Sequence, residues 1–187
     1  YGEPAVLAFL PNGSFLLRDG YWNTRIIKYD AEGEYLMEWG EAGSGPGQFD
    51  LVHGLAVDRE HRVYVADRRN NRVQVFTEDG AFIEEWPDIT DPVGVFIDEH
   101  HAVWVISASL HRLLKYNGDG ELQHSWGAYG GPGGLAGGVF RPHQIDVDQE
   151  GNVYVASWSG GWLNKFTPKP NADPNALIGR GLVLERR

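Results

Sequence analysis

Residues 45–76 read GPGQFDLVHGLAVDREHRVYVADRRNNRVQVF and contain the unit from which most of the chain is built. The apolar segment HGLAVD (53–58) ends in Asp and is followed by a short polar turn. RVYVAD (62–67) and RVQVF (72–76) come next, with Val alternating with other residues. Short runs of β-branched and aromatic residues between polar turns are typical of β-strands. The stretch therefore predicts consecutive short strands joined by tight turns.

The first two segments of this unit recur along the chain in the same order. The first segment recurs as VGVFID (93–98), as HQIDVD (143–148) and, in degenerate form, as AVLAFL (5–10). The second recurs as SFLLRD (14–19), AVWVIS (102–107) and NVYVAS (152–157). A repeat of about 40 to 50 residues is a period at which repeat architectures are found. The chain therefore contains four copies of one supersecondary unit.

A third motif follows in each copy and consists of a strand, a glycine turn and a second strand. It reads RIIKYDAEGEYLMEWG (25–40), RVQVFTEDGAFIEEW (72–86) and RLLKYNGDGELQHSWG (112–127), whereas WLNKFTPKPNADPNALIG (162–179) has a longer proline-rich loop. The acidic-Gly pairs in the first three turns supply the positive φ that tight hairpins require. Trp39, Trp86 and Trp126 close those three copies, and we expect them to pack between neighbouring repeats.

Four strands in each repeat predict an all-β fold, a β-propeller with about four blades of four antiparallel strands. The blades would occupy roughly 1–40, 47–87, 88–127 and 137–187, within a single domain covering 1–187. A blade buries its sheet faces only by stacking on neighbours. We expect either a fragment of a six-bladed ring or an assembly closed by another chain. An open stack has an exposed edge that invites pairing with a second copy, as in a homo-oligomer.

Composition narrows the classes of partner. The formal net charge is −10 over 187 residues, and a general nucleic-acid binder needs a basic surface, so no nucleic-acid partner is expected. Three arginines lie close in sequence, at Arg68, Arg69 and Arg72. They are interpreted either as part of a solvated turn or as a local basic patch. The chain has no cysteine, which excludes disulfides and thiolate metal sites. No apolar stretch is long enough to predict a membrane span, and the compartment stays open.

The residue at the start of the first segment is a histidine in two of the four copies. It is Ala5, His53, Val93 and His143 in the four copies, so the two histidines are two blades apart. Equivalent residues of the innermost strands lie at one level of the central channel. In a six-bladed ring, alternate blades are related by about 120°, and three such histidines would form a trigonal zinc site. This chain supplies two of the three. The alternative is that each histidine lines the channel and hydrogen-bonds water.

The stretch at 45–76 and FRPHQIDVDQEGNVYVASW (140–158) resemble the NHL repeat. DGYWNTRI (19–26) and VADRRNNRV (65–73) further resemble the peptidyl-α-hydroxyglycine α-amidating lyases. That resemblance implies that Tyr21 and Arg68 are catalytic and that His53 and His143 bind zinc. It implies cleavage of the N–Cα bond of a peptide ending in α-hydroxyglycine, which gives a peptide amide and glyoxylate. Without it, Tyr21 reads as a packing aromatic and Arg68 as a surface turn residue.

The chain departs from those lyases in several respects. Their propeller has six blades, and the blades that carry the remaining zinc histidine and another active-site arginine have no counterpart here. Gln144 stands where the lyases have a calcium-binding Asp, and a neutral side-chain oxygen is a weaker calcium ligand than a carboxylate, so calcium is not expected. No copper-monooxygenase domain is present. A non-enzymatic propeller that binds a peptide or protein partner remains the alternative function, and an RNA-binding NHL domain is disfavoured by the acidity.

Overall fold

The computed structural model describes residues 1–3, 6–131 and 138–184. Its first sheet has the antiparallel order β1-β2-β3-β4. The strands are β1 (Val6–Phe9), β2 (Phe15–Asp19), β3 (Arg25–Tyr29) and β4 (Tyr35–Trp39). Ala5, the residue that aligns with His53 in the first copy, lies outside the described residues.

The second and third sheets repeat this arrangement. A short parallel pair, β5 (Glu41–Ala42) and β6 (Gln48–Phe49), leads into the second sheet. The second sheet contains β7 (Val52–Val57), β8 (Val63–Asp67), β9 (Arg72–Phe76) and β10 (Phe82–Trp86). The third contains β11 (Pro92–Ile97), β12 (Val103–Ser107), β13 (Arg112–Tyr116) and β14 (Leu122–Trp126). In both sheets the strand order follows the chain, as the repeat predicts.

The fourth sheet has three strands within the part of the chain that the structure describes. These are β15 (Pro142–Val147), β16 (Val153–Ser157) and β17 (Leu163–Phe166). The proline-rich loop follows, and its one regular element is a 3-10 helix at Pro174–Ala176. Pro168, Pro170 and Pro174 lie in this loop, and each lacks the N–H that a strand ladder uses, which disfavours a fourth strand here. The fold is otherwise the all-β propeller type predicted from the repeat, with four blade-like sheets.

The turns follow the sequence pattern. Gly33, Gly80 and Gly120 have φ values of 88°, 79° and 77°, as predicted for the glycine turns of the third motif. This left-handed region costs a glycine nothing, because it has no Cβ.

Two of the three tryptophans that end the third motif, Trp39 and Trp126, pack between sheets, as predicted. The ring of Trp39 on β4 lies 6.2 Å from that of Phe76 on β9, which joins the first sheet to the second. The ring of Trp126 on β14 lies 4.8 Å from that of Phe166 on β17, which joins the third sheet to the fourth. Trp86 also contacts an aromatic ring, that of Tyr64, within its own sheet. Aromatic packing therefore accounts for the repeated tryptophans.

The chain divides into two compact units. The first contains Tyr1–Val95 together with the chain from Val183 onward, and the second contains Phe96–Leu182. In the second unit the segment after the 3-10 helix returns to β11, where the Leu182 N–H donates to the Ile97 carbonyl at 2.9 Å. No helix among the described residues is long and apolar enough to cross a membrane.

Candidate functional site

Strands β7 and β15 each carry a histidine at a β-bulge in the pairing with the strand that follows. In the β7–β8 pair, Val52 lies opposite Asp67 and Gly54 opposite Ala66, so His53 is an extra residue in a β-bulge. The β15–β16 pair has the same shift between Pro142 and Gln144, which makes His143 the extra residue there. A bulge re-aims the side chain of its extra residue and often lies beside a functional site. The two histidines are therefore structurally equivalent within their own sheets.

The imidazole of His53 is buried, and its hydrogen bonds define which of its ring nitrogens carries the proton. Its Nδ1 lies 2.6 Å from the carbonyl oxygen of Val93. A carbonyl only accepts hydrogen bonds, so Nδ1 carries the proton in the neutral ring. Nε2 is then left with its lone pair. A histidine held in this way by a backbone carbonyl is oriented as metal-binding histidines usually are.

Tyr21 is brought directly to this histidine. The Tyr21 hydroxyl lies 3.0 Å from His53 Nε2, and the two rings meet edge to face with centroids 5.5 Å apart. Because Nε2 has no proton in this tautomer, the Tyr21 hydroxyl donates. Tyr21 is 39% exposed, so one side of the pair is open to solvent. The structure thus places together two residues that lie 32 positions apart in the sequence.

The turn that carries Tyr21 is anchored by the carboxylate of Asp19, at the end of β2. This buried carboxylate accepts hydrogen bonds from the Gly2 N–H, from Asn23 at 2.9 Å and from Arg25 at 3.0 Å. Burial by itself would raise the pKa of Asp19, but the hydrogen bonds and the Arg25 charge outweigh it and hold the pKa below its ordinary value. Asp67 has the same role at the end of β8, where Arg72 and Asn70 donate to it. These two recurring aspartates accept the hydrogen bonds that anchor the turns after β2 and β8.

Arg18 is a further member of the site that sequence reasoning missed. It is only 1% exposed, and its guanidinium carbon lies 4.7 Å from the centre of the Tyr21 ring. Its Nη1 donates to the backbone carbonyl of His53 at 2.7 Å. Burial lowers the pKa of Arg18, although Tyr21 and Asp19 oppose that effect. The available signal was a cation directly after the apolar run Phe15–Leu17, within a segment predicted to be a strand.

Arg68 is hydrogen-bonded to the strand region just before His53, but its side chain pairs with Asp91. Its backbone N–H donates to the Leu51 carbonyl at 2.8 Å, two residues before His53. Its Nε donates to Asp91 Oδ1 at 2.6 Å. Arg68 and Asp91 also line a shallow cavity of about 350 Å³ with Leu51, Arg69 and Asn71. Among the described residues, the guanidinium of Arg68 is thus bonded to a carboxylate rather than to Tyr21 or His53.

The arginine cluster is not a basic patch in the described structure. Arg72 is buried and forms ion pairs with Asp67 and Glu85. The exposed Arg69 lies 3.4 Å from Asp50. Since Arg68 also has a carboxylate partner, the positive charges are neutralised locally. The interpretation of Arg72 as part of a solvated turn was wrong, because its guanidinium enters the sheet to satisfy Asp67.

A zinc ion would find one well-prepared ligand in the first unit, the Nε2 atom of His53. His143 lies half-buried on β15 in the second unit, and the neighbouring Gln144 is exposed. No group of three His, Asp or Glu side chains suited to a metal ion occurs within residues 1–3, 6–131 and 138–184. The Nε2 atom of His53 fits zinc in its chemistry, because an unprotonated imidazole nitrogen is a usual zinc ligand.

Comparison with known proteins gives the following similarities. The NHL repeat family matches residues 49–76. The chain is 29% identical over 200 residues to the rat peptidylglycine alpha-amidating monooxygenase, covering 98% of this chain and 20% of that protein. It is 25% identical over 213 residues to peptidyl-alpha-hydroxyglycine alpha-amidating lyase 1 of Drosophila melanogaster, covering 94% and 37%. It is 31% identical over 176 residues to human NHL repeat-containing protein 3, covering 90% and 50%.

A solved structure shares the fold. Virginiamycin B lyase from Staphylococcus aureus, in its H270A form with quinupristin, superposes with a TM-score of 0.66 at 16% identity. The match covers 94% of this chain and 59% of that one. The chain spans about a fifth of the length of the amidating monooxygenase it matches.

Proposed function

We propose that this NHL-repeat β-propeller, which resembles the peptidyl-α-hydroxyglycine α-amidating lyases, is a lyase of that type. Its substrate would be a peptide ending in α-hydroxyglycine. The observation that carries the proposal is the 3.0 Å contact between the Tyr21 hydroxyl and His53 Nε2. The resemblance assigns these two residues to one active site, and they meet within the first unit although they come from different sheets.

The reaction requires one proton transfer and one bond cleavage. The hydroxyl proton of the α-hydroxyglycine is removed, the C–O bond becomes a carbonyl, and the N–Cα bond breaks. The amide nitrogen takes up a proton, so the products are a peptide amide and glyoxylate. Tyr21 is the group proposed to move the proton, because its side chain is partly exposed and its hydroxyl lies beside His53 Nε2, where zinc would bind. Positioned side chains contribute about 10²- to 10⁴-fold to rate by such transfers.

Zinc is the cofactor that this proposal requires, with His53 and His143 as the ligands from this chain. When bound, zinc would supply Lewis acidity to polarise the substrate hydroxyl. The Nδ1–H···O=C hydrogen bond to Val93 supports the role of His53, since it leaves the Nε2 lone pair as the ligand atom. Zinc at Nε2 would replace the Tyr21 O–H hydrogen bond, because both use that one lone pair. Arg68 is proposed to bind the substrate carboxylate. Its Nε donates to Asp91, so the substrate carboxylate would bind the remaining N–H groups of the guanidinium or displace Asp91.

Glyoxylate release from a synthetic peptidyl-α-hydroxyglycine tests the reaction in zinc-containing buffer. We expect Tyr21→Phe to lower kcat by about 10²-fold or more, because the proton-transferring group is removed. Tyr35→Phe is the matched control, since Tyr35 is an exposed tyrosine on β4 of the same sheet. Equal rates for the Tyr21 and Tyr35 variants would rule out the role of Tyr21.

Zinc content separates the lyase from the alternative function. That alternative is a non-enzymatic propeller that binds a peptide or protein, and the likeness to a relative named only for its repeats favours it. We expect zinc in the purified chain by elemental analysis, and its loss in a His53→Ala and His143→Ala double variant. His124→Ala is the control, because His124 lies exposed on β14. Absence of zinc together with absence of glyoxylate release would leave the binding propeller as the function.

A further inference from the structure

Arg18 differs from the other buried cations of the described chain. The side chains of Arg72 and Lys28 are also buried, but Arg72 pairs with Asp67 and Lys28 pairs with Asp79 at 2.8 Å. Arg18 forms no salt bridge with any residue in the described ranges, and its buried Nε has no hydrogen-bond partner there. Burial of a charge without a counter-charge is costly to the fold. Stability alone therefore does not explain an arginine at this position.

The contacts of Arg18 are concentrated on the candidate site. Its Nη1 holds the backbone of His53 at the bulge, and its planar group lies against the Tyr21 ring. An arginine can make both contacts because its guanidinium offers in-plane donors and a flat face for stacking. The nearest carboxylate in sequence, Asp19, is already bonded to Asn23 and Arg25. The side chain thus connects the two residues whose relative position defines the site.

We propose that Arg18 is a positioning residue that holds the Tyr21 ring and the His53 bulge in register, so that the Tyr21 hydroxyl meets His53 Nε2. This assigns to Arg18 a role in the site that is separate from the substrate contact proposed for Arg68. The proposal concerns the same site as the proposed lyase function and rests on it only for its catalytic consequence. The hydrogen bond itself can be measured without any substrate or metal.

Nitrogen NMR of the metal-free chain, with ¹⁵N-labelled histidine, measures that hydrogen bond directly. The His53 ring signals are assigned by their absence in His53→Gln. Tyr21→Phe then gives the Nε2 position without its O–H donor. We expect Arg18→Met to move the Nε2 signal to the position seen in Tyr21→Phe, because the Tyr21 ring is no longer held. The melting temperature of Arg18→Met should be unchanged or higher, since an unneutralised buried charge is removed.

Arg62→Met is the matched control, because Arg62 also lies over a tyrosine, Tyr64, in the first unit and forms a salt bridge with Asp58. It should leave the His53 spectrum unchanged. If Arg18→Met does not fold, Arg18→Lys decides the question. Lysine keeps the charge without the planar fork and should also move the Nε2 signal toward that of Tyr21→Phe. A wild-type Nε2 signal in the folded Arg18 variant overturns the proposal.

The kinetic consequence separates this proposal from the proposed function. If the chain is a lyase, Arg18→Met should lower kcat about 10²-fold with little change in KM, because a misplaced catalytic group slows the chemical step. If no glyoxylate is released by the wild-type chain but the NMR shift occurs, the lyase function fails and the positioning role of Arg18 stands. If the wild-type chain releases glyoxylate and the NMR shift is absent, the lyase function stands and the positioning role of Arg18 fails.

Discussion

At the scale of single residues, Gly20 sets how closely the turn that carries Tyr21 approaches the strand that carries His53. A Cβ added at Gly20 would collide with the carbonyl oxygen of Val52 and lie 2.8 Å from the Val52 Cβ. These are contacts with backbone and with a stiff β-branched side chain, neither of which can move aside easily. The absence of a side chain at position 20 is therefore a condition for the contact between Tyr21 and His53.

We expect Gly20→Ala to destabilise the chain by about 1 to 3 kcal/mol, because overpacking forces the backbone apart. Urea unfolding followed by tryptophan fluorescence measures this change. Gly45→Ala is the control, since a Cβ at Gly45 would meet only the far end of the flexible Gln48 side chain. Equal unfolding midpoints for the two variants would contradict the close approach of the Tyr21 turn to β7.

At the scale of the elements, two of the aromatic residues that end the third motif join neighbouring sheets within their own unit. Trp39 on β4 packs against Phe76 of β9 and against the turn at Gly80, where a Cβ would lie 2.7 Å from its indole ring. A blade cannot cover its own faces, so each contact of this kind replaces water on an apolar surface. Gly80 is therefore needed for two reasons. It adopts the left-handed backbone conformation of the turn, and its lack of a side chain leaves room for the indole of Trp39.

We expect Trp39→Ala to lower the free energy of unfolding by about 3 kcal/mol, through lost burial and a cavity beside Phe76. Trp22→Ala is the matched control, because Trp22 is 78% exposed. Its effect should stay within about 0.5 kcal/mol. Thermal and urea unfolding of both variants compare the two positions, and a Trp39 variant as stable as the Trp22 variant would show that inter-sheet aromatic packing contributes little.

At the scale of the whole molecule, the net charge is the property from which we predict the class of partner. The formal net charge is −10, and the arginines grouped in the sequence are paired with carboxylates in the structure. Little unneutralised positive charge is left near that cluster to displace counterions from phosphates. The buried charge of Arg18 is inaccessible to a polymer, because the side chain is only 1% exposed.

We therefore expect no binding of single-stranded RNA, even at low salt where electrostatic attraction is strongest. Fluorescence anisotropy of a labelled oligouridine at rising protein concentration provides the measurement, with a basic RNA-binding protein as the positive control. A rise in anisotropy that weakens with added salt would contradict the expectation and restore the RNA-binding class of propeller.

The sequence by itself determined the repeating strands, the hairpin turns and the equivalence of His53 with His143. These features depend on local rules: alternation along a strand, the conformational freedom of glycine and a fixed spacing between copies. The roles of Tyr21, Arg68 and the two histidines came from resemblance to a family, and they stay predictions. The packing of Trp39 and Trp126 between sheets was also predictable, whereas the contact of Trp86 with Tyr64 of its own sheet was not.

Only the tertiary structure decided which polar side chains meet. The contact of Tyr21 with His53 and the position of Arg18 beneath that pair depend on how two sheets stack and on a one-residue bulge. The pairing of Arg68 with Asp91 likewise joins residues from different turns. The alternation along a strand predicts which face of the sheet each side chain occupies. It does not predict how far that side chain lies from residues of the neighbouring sheet. Such distances follow from twist, bulges and close backbone approach, which arise when the whole chain packs.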